Sequence, residues 1–146
     1  MEINYKEKLA DINAFIFDVD GVLTDGSLII SESGELLRTM NVKDGFAMKF
    51  AVDNGYKIGI ISGGTNESVR KRLNGLGIEE IHLKSHDKIV PFNNFLSKYE
   101  LNKENVLVMG DDIPDIPIIK LAGIGCCPQD AVPEVKSVSN YISQKN

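Results

Sequence analysis

Cysteine is scarce here: the two residues present are neighbours, Cys126-Cys127. Adjacent cysteines do not close an ordinary intrachain disulfide. With only two histidines elsewhere, no zinc-ligand spacing exists. The pair ends an apolar run and is expected to fill core. Long hydrophobic stretches are missing too, since no apolar run approaches the ~20 residues that cross a bilayer. Residues 1–11 are charged and lack the apolar segment of a signal peptide, so a cytoplasmic location is expected. There is no basic block: 16 Lys+Arg stand against 21 Asp+Glu, a formal charge of −5. The densest basic stretch, Arg70-Lys71-Arg72, lies in a helical pattern and reads as a solvated face. Nucleic acid and anionic membrane, which need cationic patches, are therefore not expected as partners. Repeats, low-complexity tracts and Pro/Gly/Ser linkers are absent as well, and 146 residues suit one domain spanning 1–146.

Five short apolar, mostly β-branched runs are present, at 14–19, 57–62, 80–84, 105–109 and 123–127. Such runs read as strands buried on both faces. Helix-like stretches at 45–54, 66–76, 88–99 and 115–121 separate them after the first. This alternation predicts an α/β fold, a doubly wound parallel sheet with right-handed crossovers. One insertion interrupts it. Residues 28–30 and 35–40, joined by Ser31-Glu32-Ser33-Gly34, read as a β-hairpin directly after the first strand, a flap of about residues 27–41.

Ligands of open α/β sheets sit beyond the carboxyl ends of the strands, so the residues after each run are the candidates. The first run ends in Asp18-Val19-Asp20-Gly21 and the second in Ser62-Gly63-Gly64-Thr65. The third is followed by His86-Asp87-Lys88, the fourth by Gly110-Asp111-Asp112-Ile113-Pro114-Asp115. Each acid alone would pass as a turn residue. Five at one end of a sheet repel one another unless a cation neutralises them. An oxygen-only set suits a hard ion, Mg²⁺ above all, which leaves room for a phosphate oxygen. Ser62 with the amides of Gly63 and Gly64 precedes a helix, an arrangement that can hold an anion. Lys88 starts a helix, where a cation opposes the macrodipole unless an anion lies close. Lysine, metal and amides together form the clamp that phosphoryl transfer needs.

Asp18-Val19-Asp20-Gly21-Val22-Leu23-Thr24-Asp25, Ser62, Lys88 and Gly110-Asp111-Asp112-x-x-Asp115 are similar to the four ordered motifs of the haloacid dehalogenase superfamily. The likeness covers nearly the whole chain. The extended first motif, the hairpin and Asn41-Val42-Lys43-Asp44-Gly45 resemble its branch of phosphatases acting on 3-deoxy-manno-octulosonate (KDO) 8-phosphate. This resemblance implies a two-step hydrolysis, in which Asp18 attacks phosphorus and Asp20 is the general acid and base. It implies Mg²⁺ on the Asp18 carboxylate, the Asp20 main-chain carbonyl and Asp111. Ser62, the Gly63 amide and Lys88 would hold phosphoryl oxygens, and Asp112 and Asp115 would orient waters and Lys88. Thr24, Asp25, Asp44 and Gly64 are candidate substrate contacts.

Many relatives roof the site with a cap domain. About 17 residues lie between Gly26 and Asp44 and about 21 between Lys88 and Gly110, so no cap domain fits. The family's alternative is a homotetramer in which hairpins roof neighbouring sites, and the apolar Leu28-Ile29-Ile30 and Leu36-Leu37 suit it. Three departures stand out. Gly64 stands where relatives usually carry Arg, or Glu for nine-carbon substrates. Pro114 replaces a commonly polar residue. Relatives normally continue past the position of Asn146 into a Gly-Gly-containing tail with an Arg. The expected activity is Mg²⁺-dependent hydrolysis of KDO 8-phosphate for cell-envelope sugar synthesis. A nine-carbon or broader sugar phosphatase and a non-catalytic assembly module are the alternatives.

Overall fold

The computed structural model describes residues 4–146; residues 1–3, part of the charged N-terminal segment, lie outside the described residues. A short helix α1 (Tyr5–Lys8), capped by the Asn4 side chain, leads into β1 (Ala14–Phe17). The hairpin follows as β2 (Ile29–Ile30) and β3 (Leu36–Leu37). Then come α2 (Val42–Asp53), β4 (Lys57–Ile61), α3 (Glu67–Asn74), β5 (Glu80–His82) and α4 (Ile89–Lys98). The chain closes with β6 (Val106–Met109), α5 (Ile116–Leu121), β7 (Ile124–Cys127), α6 (Pro133–Val138) and β8 (Tyr141–Ile142).

Six strands form one parallel sheet in the order β5-β4-β1-β6-β7-β8. Its two halves are wound outward from β1 and β6, which creates a crevice at their carboxyl ends. The α/β reading is borne out. Strand alternation builds a layer on each face. Ala14 and Ile16 of β1 join Val106, Val108, Phe92 and Phe95 beneath α4 and α5. Ile58 and Ile60 of β4 meet Val69, Leu73 and Met48 beneath α2 and α3. Asn41 and Asn66 cap α2 and α3 by accepting the amide N–H of Lys43 and Ser68, both at 2.8 Å. Cys126 and Cys127 are buried, as core filler requires.

Three elements went unread in the sequence: α1, α6 and β8. All are short, and their stability is tertiary rather than local. Tyr5 packs against Tyr141 with tilted rings, centroids 4.9 Å apart, and Asn140 exchanges hydrogen bonds with Gly125. The hairpin is shorter than expected. Its register pairs Ile29 with Leu37 and Ile30 with Leu36, and residues 38–40 leave the ladder because Arg38 turns back toward the sheet.

Candidate active site

Asp18 directly follows β1, and its carboxylate accepts the Val19 amide N–H at 2.7 Å. The chain then turns sharply at Gly21, φ +86°, a left-handed conformation that favours glycine. A Cβ there would lie 1.8 Å from Asp111 Oδ2, so no side chain fits between the two acid-bearing loops. Thr24 is buried and accepts the amide N–H groups of Gly21 and Gly26 at 3.2 and 3.1 Å. This threonine therefore fastens the turn that carries Asp18 and Asp20.

At the end of β4, Ser62 is buried and its hydroxyl accepts the Gly64 amide N–H at 3.1 Å. Lys88, at the start of α4, is equally buried. Its ammonium does not point into solvent: it donates to Asp115 Oδ1 at 2.5 Å and to the Ile61 carbonyl at 3.2 Å, and lies 3.3 Å from Asp18 Oδ1. Burial pushes the lysine toward its neutral form, but Asp18 and Asp115 outweigh it and raise its pKa overall. The other oxygen of Asp115 accepts the Asp111 and Asp112 amides at 2.9 and 3.2 Å. Asp112 lies at the surface and accepts the Ile113 amide at 2.8 Å.

Asp18, Asp111 and Asp115 bring carboxylate oxygens within 4.8 Å of one another. Burial, with Asp115 as the next cause, pushes Asp18 up to about 7. Burial and the charges of Asp115 and Asp112 push Asp111 up to about 6. One oxygen of Asp111, Oδ1, is buried without a hydrogen-bond partner. A buried carboxylate oxygen without a donor is costly, and a dication answers both this vacancy and the mutual repulsion. The residues fit a hard metal ion. Asp115 is the weakest ligand of the three, since Lys88 and two amides already occupy both its oxygens. Its place is to fix Lys88 and the Asp111 loop.

Asp18, Asp20, Ser62, Gly63, Gly64, Lys88, Asp111, Asp112 and Asp115 line one cavity of about 360 Å³ at the crevice between β1, β4 and β6. Nine expected site residues thus meet. Asp25 and Asp44 do not: with Thr24 they line an adjoining cavity of about 280 Å³ behind the turn, and Asp25 accepts the Ser27 amide at 2.9 Å. Ser85 and Pro114 also line the main cavity, and neither was singled out as a site residue. Arg38 was missed altogether. Its guanidinium grips Asp20 at two points, Nε to Oδ1 at 2.6 Å and Nη2 to Oδ2 at 3.0 Å. A separation of 18 positions along the chain leaves no periodic signal for such a pair.

Comparison with known proteins agrees with this geometry. A profile of haloacid dehalogenase-like hydrolases matches residues 74–146, half of the chain. The 3-deoxy-D-manno-octulosonate 8-phosphate phosphatase KdsC of Shigella flexneri is 32% identical over 137 residues, 94% of this chain and 73% of that protein. The chain belongs to the haloacid dehalogenase-like hydrolases. Among solved structures of such hydrolases, a probable YrbI family phosphatase from Pseudomonas syringae superposes with a TM-score of 0.94 at 34% identity, covering 97% of this chain and 81% of that one. The 3-deoxy-D-manno-octulosonate 8-phosphate phosphatase of Moraxella catarrhalis, solved with magnesium, phosphate and KDO, gives 0.91 at 29% identity, covering 95% and 80%. No helix among the described residues of this hydrolase is long and apolar enough to cross a membrane.

Proposed function

We propose that this hydrolase cleaves KDO 8-phosphate to KDO and inorganic phosphate, with Asp18 as nucleophile. The observation that carries the reading is the convergence of Asp18, the buried Lys88 ammonium and the unpartnered Asp111 Oδ1 on one cavity. The names of the Shigella and Moraxella relatives support the substrate. Asp18 attacks phosphorus in line, forming an aspartyl-phosphate as the ester P–O bond breaks, and Asp20 gives its proton to the departing alcohol oxygen. Asp20 then takes a proton from water, which attacks the same phosphorus, breaks the Asp18–phosphorus bond and frees phosphate. Lys88, the Ser62 hydroxyl and the Gly63 amide hold the phosphoryl oxygens. The Asp18 and Asp111 carboxylates with the Asp20 main-chain carbonyl would hold Mg²⁺, which supplies charge neutralisation at the phosphoryl group. The non-catalytic module is not favoured, because the motif acids and Lys88 are all in place. Phosphate release from KDO 8-phosphate should be abolished by EDTA and restored by Mg²⁺. Full turnover in chelator would remove the metal from the reaction, and no release with Mg²⁺ would remove the substrate.

The reading extends to the whole chain: one domain, 1–146, with residues 27–41 as its flap, acting in the cytoplasm in cell-envelope sugar synthesis. It includes a homotetramer that roofs the open cavity. In support, Ile29 and Ile30 of the hairpin are 57% and 74% exposed, and Val42, Phe46 and Phe50 form an exposed stripe at four-residue spacing on α2. The exposed rings of Phe46 and Phe50 stack 6.2 Å apart. Contiguous apolar surface of this kind marks an interface. Light scattering should give four times the chain mass; a monomer at micromolar concentration would defeat the tetramer.

A further inference from the structure

The hairpin carries one residue whose placement the reaction above does not use. The Arg38 side chain is only 6% exposed, yet it belongs to a short flap whose apolar residues face outward. Its guanidinium takes both oxygens of Asp20 and also donates to the Leu36 carbonyl at 2.9 Å. The Asn66 amide donates to that same carbonyl at 2.7 Å, fastening the flap to the loop after β4. Glycine at 64 gives the guanidinium room: a Cβ there would stand 3.2 Å from Arg38 Nη2, tighter than an ordinary contact. Two cavities share Gly63 and Gly64; Arg38 lines the second of them and reaches the first through Asp20. One is the acid-lined cavity of Asp18 and Lys88. The other, about 640 Å³, runs under the hairpin past Thr65, Asn66 and Ser68.

This arrangement conflicts with the work assigned to Asp20. With each oxygen accepting one hydrogen bond from the guanidinium, the carboxyl group is held in the plane of Arg38 and is not free to swing toward a leaving alcohol. The fork geometry of arginine makes the grip specific for planar oxyanions, so the group best able to take it over is another carboxylate. A 3-deoxy-ulosonate carries one; a neutral sugar phosphate does not.

We propose that Arg38 is a positioning and specificity residue that clamps Asp20 in the free protein and releases it when the carboxylate of a sugar acid substrate takes the guanidinium. The proposal rests on the phosphatase reading above. Binding of the correct substrate then completes the site, so part of its binding energy is expressed as selectivity.

The test compares kcat and KM of wild type, Arg38→Ala, Arg38→Lys and Asn66→Ala on KDO 8-phosphate and on ribose 5-phosphate, which lacks a carboxylate, with Mg²⁺. Arg38→Ala should lower kcat/KM for KDO 8-phosphate by on the order of 10²-fold and raise kcat for ribose 5-phosphate several-fold, because nothing in that substrate opens the clamp in wild type. Arg38→Lys, which keeps charge but not the fork, should fall between. Asn66→Ala, which loosens the flap without touching the clamp, should keep the wild-type ratio between the two substrates. A parallel fall on both substrates in Arg38→Ala, or an unaltered ratio, overturns the role of Arg38 alone. Wild type that hydrolyses neither substrate overturns the phosphatase reading, and this inference with it.

Discussion

Replacing Asp18 with Asn is expected to lower phosphate release by on the order of 10⁴-fold or more, while making the metal-free protein more stable at neutral pH. The two effects have one cause. Asp18 is buried beside Asp115 and Asp111, and its pKa is raised from 3.8 to about 7. A carboxyl group raised in the folded state contributes stability that is fully present below its unfolded value, near pH 4. That contribution is lost as pH rises through the folded value, near 7. Asp111, raised to about 6, acts in the same direction. In EDTA, the melting temperature of wild type should therefore fall between pH 5 and pH 8 beyond what Asp18→Asn shows, and Mg²⁺ should remove most of that fall. The asparagine cannot ionise and so keeps the low-pH condition at every pH. Phosphate release and thermal melts across this range check both halves. A variant turning over at the wild-type rate would reassign the nucleophile, and one less stable than wild type at pH 8 without metal would show that burial beside Asp115 does not raise Asp18.

Lys88→Met should produce the opposite thermodynamic result with a smaller, though still large, loss of function. The ammonium is the only side-chain cation in contact with Asp18 and Asp115 among the described residues. Removing one partner of a buried ion pair leaves uncompensated charge and typically costs about 3–5 kcal/mol. The phosphoryl oxygens also lose a positioned donor, which costs on the order of 10²–10³-fold in kcat. The stability cost should be largest at pH 8 without metal and shrink toward pH 5, where a proton on Asp18 replaces part of the missing charge. Urea unfolding at the two pH values, with kcat/KM in Mg²⁺, separates the effects. Equal destabilisation at both would mean that Lys88 acts by packing its chain rather than by its charge.

These two results bear on how function and stability are divided. The acids that gather at the crevice are unfavourable to one another, and Lys88, Arg38 and the backbone amides around them relieve this only in part. The site is an electrostatically unfavourable part of a well-layered molecule, and a dication offsets that cost.

Much of this was readable before any fold was known. Buried parallel strands must be apolar on both faces, so β1, β4, β5, β6 and β7 announced themselves to within one or two residues. Parallel strands also place their carboxyl ends on one edge, so acids, glycines and a lysine following separate runs had to meet. The motif order then singled out Asp18, Asp20, Ser62, Lys88 and Asp111. Local pattern could not see partners chosen by three-dimensional approach. The sequence grouped Asp115 with the other acids, but its two oxygens are taken by Lys88 and by the backbone of its own loop. Thr24 looked like a substrate contact, yet its hydroxyl faces inward and ties the Gly21 turn. Arg38 gave no sequence signal, and only the fold-back of the hairpin over Gly64 brings it onto Asp20. Periodicity and strand order follow from each residue's neighbours in the chain. Which donor answers which carboxylate is settled by desolvation and geometry, and those exist only once the sheet has closed around the site.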